Sequence, residues 1–170
     1  MKGIKLYIII ITLILSCSSS DSIKVYRNRS LFLKEFKDLS VMRSRGKNTI
    51  IFYSYLGKLK NEYFLSVDEN LNYKLTSRNL IFDEYELGRK LVDSSQIINF
   101  VKQKLQIMDR YEVRDISSEF RDMGINMQIY FNSLESLTYV ENPVDVKNNE
   151  WLKYLREVKK LDNHWYYDNN

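Results

Sequence analysis

His164 is the only histidine in this chain of 170 residues, and histidine is the side chain that most often serves as a general base near neutral pH. It lies within Asn163-His164-Trp165-Tyr166-Tyr167, where no nucleophile motif accompanies it. A single histidine excludes a metal site built from several histidines. The sequence allows a lone catalytic base or a packed or exposed histidine beside aromatic residues, and it favours the second.

Two motifs of catalytic proteins occur only in incomplete form. Ser44-Arg45-Gly46-Lys47 matches the S-x-x-K pattern of penicillin-binding enzymes, but the chain contains neither S-D-N nor K-T-G. Gly46-Lys47 is followed by Asn48 and lacks the upstream glycine of a phosphate-binding loop. The sequence therefore identifies no reaction, and the chain is expected not to be an enzyme and to need no cofactor.

Two clusters of charged residues have a functional and a plain interpretation. Asp83, Glu84 and Glu86 contain carboxylates that calcium prefers, but they lack the spacing of a calcium loop, and we interpret them as a solvated turn. A group of basic residues near the first hairpin offers a patch for anionic lipid or an acidic partner, although such residues usually only keep a loop soluble. This basic group consists of Arg43, Arg45, Lys47, Lys58 and Lys60.

Cys17, the only cysteine, follows a short apolar segment. Lys2 and Lys5 precede the largely apolar residues 6–15, a segment shorter than the about 20 residues of a membrane-spanning helix. In Ile14-Leu15-Ser16-Cys17, an aliphatic residue stands three positions before the cysteine and a small residue directly before it. These residues resemble the signal peptide and lipobox of bacterial lipoproteins.

The resemblance covers only the signal segment and departs mildly at Leu15, where a small residue is commoner. It implies that residues 1–16 form a signal peptide that is removed. It also implies that Cys17 carries lipid, including palmitate, and attaches the chain to the bacterial cell envelope, facing the periplasm or the exterior. Residues 17–22 are then the lipidated cysteine and a flexible tether, and residues 23–170 a single domain. The alternative is an uncleaved N-terminal anchor with a coincidental cysteine.

The composition of the mature chain limits the kinds of partner it can bind and the ways in which it can be stabilised. Removal of Lys2 and Lys5 with the signal leaves 24 basic against 22 acidic residues, a net charge of about +2. This net charge is too small to indicate a surface that binds nucleic acid. Lipidation uses the only thiol, so no disulfide is possible and stability must come from packing.

The C-terminal Trp165, Tyr166 and Tyr167 are the candidate residues for binding a protein partner. Exposed aromatic side chains mark docking sites. Aromatic residues near a terminus also fold back to close a core. The sequence leaves both alternatives open.

Three helices are predicted from apolar periodicity and capping residues. The first covers about 31–39 with Ser30 as its cap, and the second follows Asp93, with Gln96 placed for a capping box. The third begins at Asn148 or Asn149. Apolar residues of the second helix share one face, and Lys104 lies within that face, where its ammonium group is expected to extend to water. The inward residues of this helix are Ile97, Ile98, Val101, Leu105 and Met108.

Five strands are predicted from alternation and from β-branched and aromatic content. They cover 49–56, 63–67, a segment from Tyr73, 125–131 and 137–140. Short connections make the first three an antiparallel meander. The order α-βββ-α-ββ-α predicts an α+β fold, with an antiparallel sheet of about five strands packed by about three helices.

Three classes of function agree with these observations. The first is a lipid-anchored envelope protein that binds another protein, as immunity proteins against antibacterial toxins do, an analogy of size and location only. The second is a structural or assembly accessory of an envelope complex. The third, least favoured, is a hydrolase with an unrecognised site, which would need a pocket that gathers His164 with carboxylates.

Overall fold

Nine strands and four α-helices make up the described part of the chain, and the first four strands follow one another directly. The computed structural model describes residues 20–44, 48–132 and 134–169. The strands are β1 (Leu39–Arg43), β2 (Thr49–Leu56), β3 (Leu59–Val67), β4 (Tyr73–Asn79), β5 (Val113–Ser117), β6 (Met127–Phe131), β7 (Ser136–Tyr139), β8 (Lys159–Lys160) and β9 (Trp165–Asp168). The α-helices are α1 (Asp21–Arg27), α2 (Arg29–Phe36), α3 (Ser94–Arg110) and α4 (Asn149–Glu157).

All nine strands belong to one antiparallel sheet in the order β4-β3-β2-β1-β5-β6-β7-β9-β8. The fold is therefore α+β with an antiparallel sheet, as the sequence predicts. The described strands and α-helices number nine and four, against about five and three expected. The strands without a sequence prediction are β1, β5, β8 and β9.

The meander β2-β3-β4 confirms the alternation argument. The predicted strand 49–56 coincides with β2, and its hairpin to β3 needs only Gly57 and Lys58 rather than the expected loop 57–61. Gly57 has φ +57°, a conformation that glycine adopts without a steric penalty. The tight turn fixes the register in which Phe52 lies opposite Tyr63.

The first predicted helix is wrong at both ends. Helix α2 begins at Arg29 after Asn28 rather than after Ser30, and it ends at Phe36. Asp38 then has φ +63°, which reverses the chain, so Leu39 opens strand β1 instead of closing the helix. Aspartate tolerates this left-handed conformation better than most residues because its short polar side chain bonds locally.

Helix α1 shortens the predicted tether. It begins at Asp21, so the last two residues of the expected tether 17–22 lie in a helix, and Ser22 is buried. Residues 1–19, which include the predicted signal peptide and Cys17, lie outside the described part of the chain. The domain thus reaches closer to Cys17 than composition alone suggests.

The two sides of the sheet carry separate cores. The larger core joins α1, α2 and α3 to one face through Phe32, Phe52, Val101, Ile129 and other apolar residues. A smaller core lies on the opposite face, where α4 packs beside β6, β7 and β9. Its buried members are Ile125, Val140, Val146 and Tyr166.

Helix α3 has the predicted cap and the predicted inner face. The Asp93 carboxylate accepts a hydrogen bond from the Gln96 N–H at 2.9 Å, and the Gln96 side chain in turn accepts one from the Val92 N–H at 3.0 Å. These reciprocal bonds satisfy donors that a helix start leaves free. Buried residues of the inner face include Val101 and Leu105.

Lys104 does not extend to water as expected. Its ammonium group lies 2.8 Å from the Glu35 carboxylate of α2 and 4.7 Å from the centre of the Phe100 ring, and the residue is buried. The sequence prediction was wrong because α2 brings a carboxylate to this apolar face. The ion pair joins α2 to α3.

The Glu35–Lys104 pair predicts a loss of stability in acid. The hydrogen bond from Lys104 is the largest influence on the pKa of Glu35, and it lowers that pKa although partial burial opposes the shift. The stabilisation is complete above the usual glutamate pKa of about 4.3 and is lost as the pH falls through the lower pKa of the folded state. Thermal melting of Glu35→Gln should therefore vary less with pH below about 4.3 than melting of the wild type. An unchanged acid profile would contradict the pairing.

Candidate functional site

The C-terminal aromatic residues lie in the sheet. Trp165 and Tyr166 are 2 % and 6 % exposed in strand β9, and the Trp165 ring packs 5.1 Å from that of Tyr139. The neighbouring Tyr167 is half-buried, and its hydroxyl donates to Glu135 at 3.1 Å. Of the two open alternatives, the structure shows core closure for Trp165 and Tyr166, which leaves them unsuited as a docking surface.

His164 is exposed and has a backbone partner. Its Nδ1 lies 3.2 Å from the carbonyl oxygen of Val140, and its ring lies 6.2 Å from that of Tyr139. A cleft of about 240 Å³ nearby is lined in part by Tyr139, Glu141, Asp38 and Arg121, but His164 does not line it. This cleft therefore does not gather His164 with carboxylates, as the hydrolase alternative requires.

The acidic cluster is solvated at Asp83 and Glu86, as its sequence suggests, but not at Glu84. Glu84 is only 4 % exposed. Its Oε1 accepts hydrogen bonds from Ser54, from Asn61 at 3.0 Å and from Tyr63 at 2.9 Å. The neighbouring Asp83 caps a short 3₁₀ helix by accepting from the Tyr85 N–H. No group of acidic, histidine or cysteine side chains within the described ranges could hold a metal ion.

Arg89 supplies the counter-charge for Glu84. Its Nη1 lies 3.8 Å from Glu84 Oε2, and neither atom has a hydrogen-bond partner within the described structure. Burial lowers the pKa of Arg89, against the opposing influence of Glu84, and burial also raises the pKa of Tyr63. The cluster ties the 3₁₀ segment to the end of β2 and β3, which is a structural task.

The expected basic group is largely neutralised where it is described. The Arg43 guanidinium pairs with Asp109, and Lys60 lies 2.9 Å from Glu62. Arg45 and Lys47 lie outside the described residues. The remaining member of the group, Lys58, is exposed in the hairpin.

One part of the sheet has aromatic residues but no helix over it. Helices α1, α2 and α3 cover the larger core, and α4 covers the β6-β7-β9 end of the other face. None of these four α-helices covers that other face along β3, β2 and β1, although Arg121, in the segment after β5, lies over Tyr55 there. We call this region, with its continuation on β6, the tyrosine face. Its apolar and aromatic side chains are Met42, Ile51, Tyr53, Tyr55, Phe64 and Tyr130.

Strand alternation places these residues. In β2, Phe52 and Ser54 point to the larger core, so Tyr53 and Tyr55 point to the opposite face. All six residues are half-buried except Tyr55, which is buried and whose hydroxyl lies 3.1 Å from Ser40 Oγ. The face therefore presents partly accessible rings on a rigid sheet.

A cation lies over each of the three tyrosine rings. Lys60 stands 4.4 Å from the centre of the Tyr53 ring, and Arg114 stands 5.9 Å from that of Tyr130. Arg121 stands 5.4 Å from the Tyr55 ring. Each cation is itself paired with a carboxylate, respectively that of Glu62, Asp115 and Asp38. These contacts restrain the rings, which reduces the conformational entropy lost when a partner binds.

The tyrosines of this face are neutral hydrogen-bond donors near neutral pH. Burial raises the pKa of Tyr53, and it raises the pKa of Tyr130 to about 12. The Tyr130 hydroxyl donates to the Gln128 side chain at 2.6 Å. Contact with a partner through these phenols is consequently insensitive to pH between about 6 and 9.

A groove of about 460 Å³ extends the tyrosine face toward α4. Tyr130 lines it, together with Phe120, Trp151 and Tyr154. The Trp151 ring packs 5.1 Å from Phe120 and meets Tyr154 edge-on at 5.3 Å. The face and the groove meet at Tyr130, while Ser40 of β1 and Asp115 of β5 lie on the same side of the sheet between Tyr53 and Tyr130.

Sequence reasoning did not select the tyrosines of this surface. The alternation of β2 does indicate that Tyr53 and Tyr55 point away from the larger core, because they alternate with residues that point into it. Tyr130 belongs to a strand that the sequence identifies by alternation, but its neighbours across the sheet cannot be read from the chain. Only the pairing of β1 with β5 brings the two halves together.

Comparison with known proteins gives no relative for this chain: no family model, curated protein or solved structure matches it. Within residues 20–44, 48–132 and 134–169, no helix has the length and apolar character needed to span a bilayer. The function must therefore be argued from the surface itself.

Proposed function

We propose that this chain is a lipid-anchored protein of the bacterial cell envelope that binds another protein through the tyrosine face, and that it is not an enzyme. The observation that carries the proposal is the uncovered aromatic surface around Tyr53 and Tyr130 on an otherwise well-packed sheet. Tyrosine and tryptophan are enriched at protein interfaces because they combine a large apolar body with a polar tip.

The sheet part of the surface supplies about half of the area that a standard protein interface takes from one partner. Five strands spaced by about 4.8 Å span about 19 Å, and five to eight residues along a strand span about 16–26 Å. The projected area is about 400 Å², half of the about 800 Å² that a standard interface takes from each partner. The groove beside α4 supplies additional surface of the same aromatic character.

The side chains of the tyrosine face favour a partner that buries the tyrosine rings and forms polar contacts with the ion pairs beside them. Lys60–Glu62 and Arg114–Asp115 border the rings without a strong excess of either sign. Such partly exposed pairs contribute little affinity but constrain which partner fits. Binding energy is expected from burying Tyr53 and Tyr130, because buried aromatic anchors often contribute about 2 kcal/mol or more.

The anchor is tested by lipid labelling. Cys17 should incorporate labelled palmitate in cells, because the n-region, the apolar segment and the Ser16-Cys17 order resemble a lipoprotein signal. Cys17→Ser should not become labelled, since it lacks the thiol that forms the thioether. Equal labelling of the two proteins would exclude lipidation at this position.

The binding proposal is tested by affinity capture from envelope extract. The bait lacks residues 1–16 and carries Cys17→Ser, and it is compared with the same bait carrying Tyr53→Ala and Tyr130→Ala. Tyr85→Ala is the control, because Tyr85 is also a tyrosine, is 50 % exposed and lies on the 3₁₀ helix Glu84–Leu87 outside the tyrosine face. A specific partner should be retained by the control and lost by the double variant. Retention by both baits would contradict the proposed surface.

The captured partner also separates the remaining classes of function. A single protein in a one-to-one complex favours an immunity-type inhibitor, and a large envelope assembly favours an accessory role. A hydrolytic activity of the purified domain that disappears in His164→Ala would instead support the enzyme class. The exposed position of His164 and its backbone partner favour no loss of any activity in that variant.

A further inference from the structure

The position of helix α1, which begins four residues after Cys17, restricts where the domain can lie on a membrane. Ser20 and helix α1 pack at the β9-β8 edge of the sheet, where the Tyr26 hydroxyl donates to Asp162 at 2.9 Å and the Tyr26 ring meets Trp165. Three residue steps separate Cys17 from Ser20, and a step spans at most about 3.6 Å. A lipid on Cys17 therefore holds this edge within about 11 Å of the bilayer surface.

The surface beside Ser20 is apolar. A groove of about 100 Å³ is lined by Ser20, Ile23, Leu161 and Tyr167, with Lys159 at its side. Ile23 is 44 % exposed, although it lies in the first turn of a packed helix. An exposed aliphatic side chain this close to a lipid anchor is positioned to meet the headgroup region.

The same edge carries unpaired positive charge. Arg27 follows Ile23 by four residues and therefore shares its side of α1. Lys159 and Lys160 form the outermost strand, β8. These three basic side chains are exposed, and none of them forms an ion pair within the described part of the chain.

Two acidic groups at this edge are paired with cations, since Asp21 lies 2.8 Å from Lys24 and Asp162 lies 3.6 Å from Arg29. A further carboxylate, that of Glu135, accepts a hydrogen bond from the Tyr167 hydroxyl at 3.1 Å. The three basic side chains outnumber Glu135, so the charge left at the edge is positive. The expected basic group near Arg43 and Lys60 lacks this property, because both of those residues have carboxylate partners.

We infer that the edge formed by α1 and β8 is a membrane-contact surface, in which Ile23 meets the interface while Arg27, Lys159 and Lys160 bind anionic lipid headgroups. The inference rests on lipidation of Cys17 as proposed above. The inference adds the orientation of the domain to the proposed lipid anchor. Basic side chains are attracted to anionic headgroups within a Debye length of about 8 Å, and the tether between Cys17 and Ser20 is of comparable length.

This orientation holds the part of the tyrosine face on β3, β2 and β1 away from the bilayer, whereas Tyr130 on β6 lies two strand spacings, or about 10 Å, from β9. Strand β4 lies seven strand spacings from β9, or about 34 Å measured along the sheet. The part of the tyrosine face on β3, β2 and β1 lies in that distal half. A partner can therefore reach it while the opposite edge rests on lipid.

The test is lysine footprinting of the lipidated full chain on vesicles. The chain is incorporated into vesicles of phosphatidylcholine with phosphatidylglycerol, or of phosphatidylcholine alone, and is labelled with an amine-reactive ester read by mass spectrometry. Lys24, Lys159 and Lys160 should react several-fold more slowly on the anionic vesicles than in detergent. Lys58 and Lys74, on the far hairpin and strand, should react at the same rate in both.

A charge-reversed pair provides the matched control. Lys159→Glu with Lys160→Glu should weaken the protection of Lys24, whereas Lys58→Glu with Lys74→Glu makes the same change of net charge and should leave it intact. Lys159 labelling that is as fast on anionic vesicles as in detergent would overturn the inference, as would equal protection on both kinds of vesicle. A chain that does not float with vesicles would contradict lipidation and this orientation, but not partner binding by the tyrosine face.

Discussion

Replacing Leu105 by aspartate is expected to lower the free energy of unfolding by at least about 4 kcal/mol. Leu105 is 3 % exposed on the inner face of α3, within the larger core. The substitution removes buried apolar volume and places an ionisable group in the core, where the neighbouring Lys104 is already paired with Glu35, so both effects destabilise the fold. Because domains of this size are stable by only about 5–15 kcal/mol, the variant should be largely unfolded or melt far below the wild type.

The neighbouring Gln106→Asp is the control for Leu105→Asp. Gln106 is exposed on the same helix, so it receives the same new charge in water, and surface changes usually alter stability by no more than about 0.5 kcal/mol. Circular dichroism melting of the three proteins gives the comparison. If Leu105→Asp melts like Gln106→Asp, the assigned inner face of α3 is wrong.

The second large effect is expected for Glu84→Ala, with a loss of about 3–5 kcal/mol. The carboxylate accepts three hydrogen bonds at Oε1 and faces the partly buried guanidinium of Arg89. Its removal leaves Ser54, Asn61 and Tyr63 without this acceptor and Arg89 without its counter-charge. Unfolding in urea should show the loss as a lower midpoint with a similar slope.

Glu86→Ala tests whether burial, rather than the local acidic sequence, causes the Glu84 effect. Glu86 belongs to the same 3₁₀ turn but is exposed, so its removal should change stability by less than about 0.5 kcal/mol. Glu84→Gln should lie between the two, because it keeps an acceptor oxygen but loses the charge opposite Arg89. Equal stability of Glu84→Ala and Glu86→Ala would contradict the structural role of the cluster.

The parts of the fold that follow from local rules could be predicted from the sequence. Strand β2 shows clean alternation, and α3 combines a cap at Asp93 with a continuous apolar stripe. Strand β5 was not predicted, because a register irregularity between Val113 and Asp115 breaks the two-residue alternation of the strand. As a result, Val113 and Ile116 both point into the larger core. Strand β8 is too short for any periodic signal.

The candidate site depended on contacts between distant parts of the chain. Tyr53 and Tyr130 are separated by 77 positions in the sequence and share a face only because β1 pairs with β5. Glu84 looks solvated in sequence, since its partners Ser54 and Asn61 come from strands that meet it only in the folded sheet. Trp165 gives no signal to distinguish a surface aromatic from a core aromatic until β9 is placed inside the sheet.

The most direct test of the account is the affinity of the captured partner for the tyrosine face. The partner is purified and titrated by calorimetry against the wild type, the Tyr53→Ala and Tyr130→Ala double variant, and the Tyr85→Ala control, after melting curves have shown that all three are folded. The account predicts that the double variant loses at least about 30-fold in affinity, which corresponds to about 2 kcal/mol, while the control binds as the wild type does. Equal affinity of all three proteins would contradict the claim that this chain acts by binding through its uncovered sheet face.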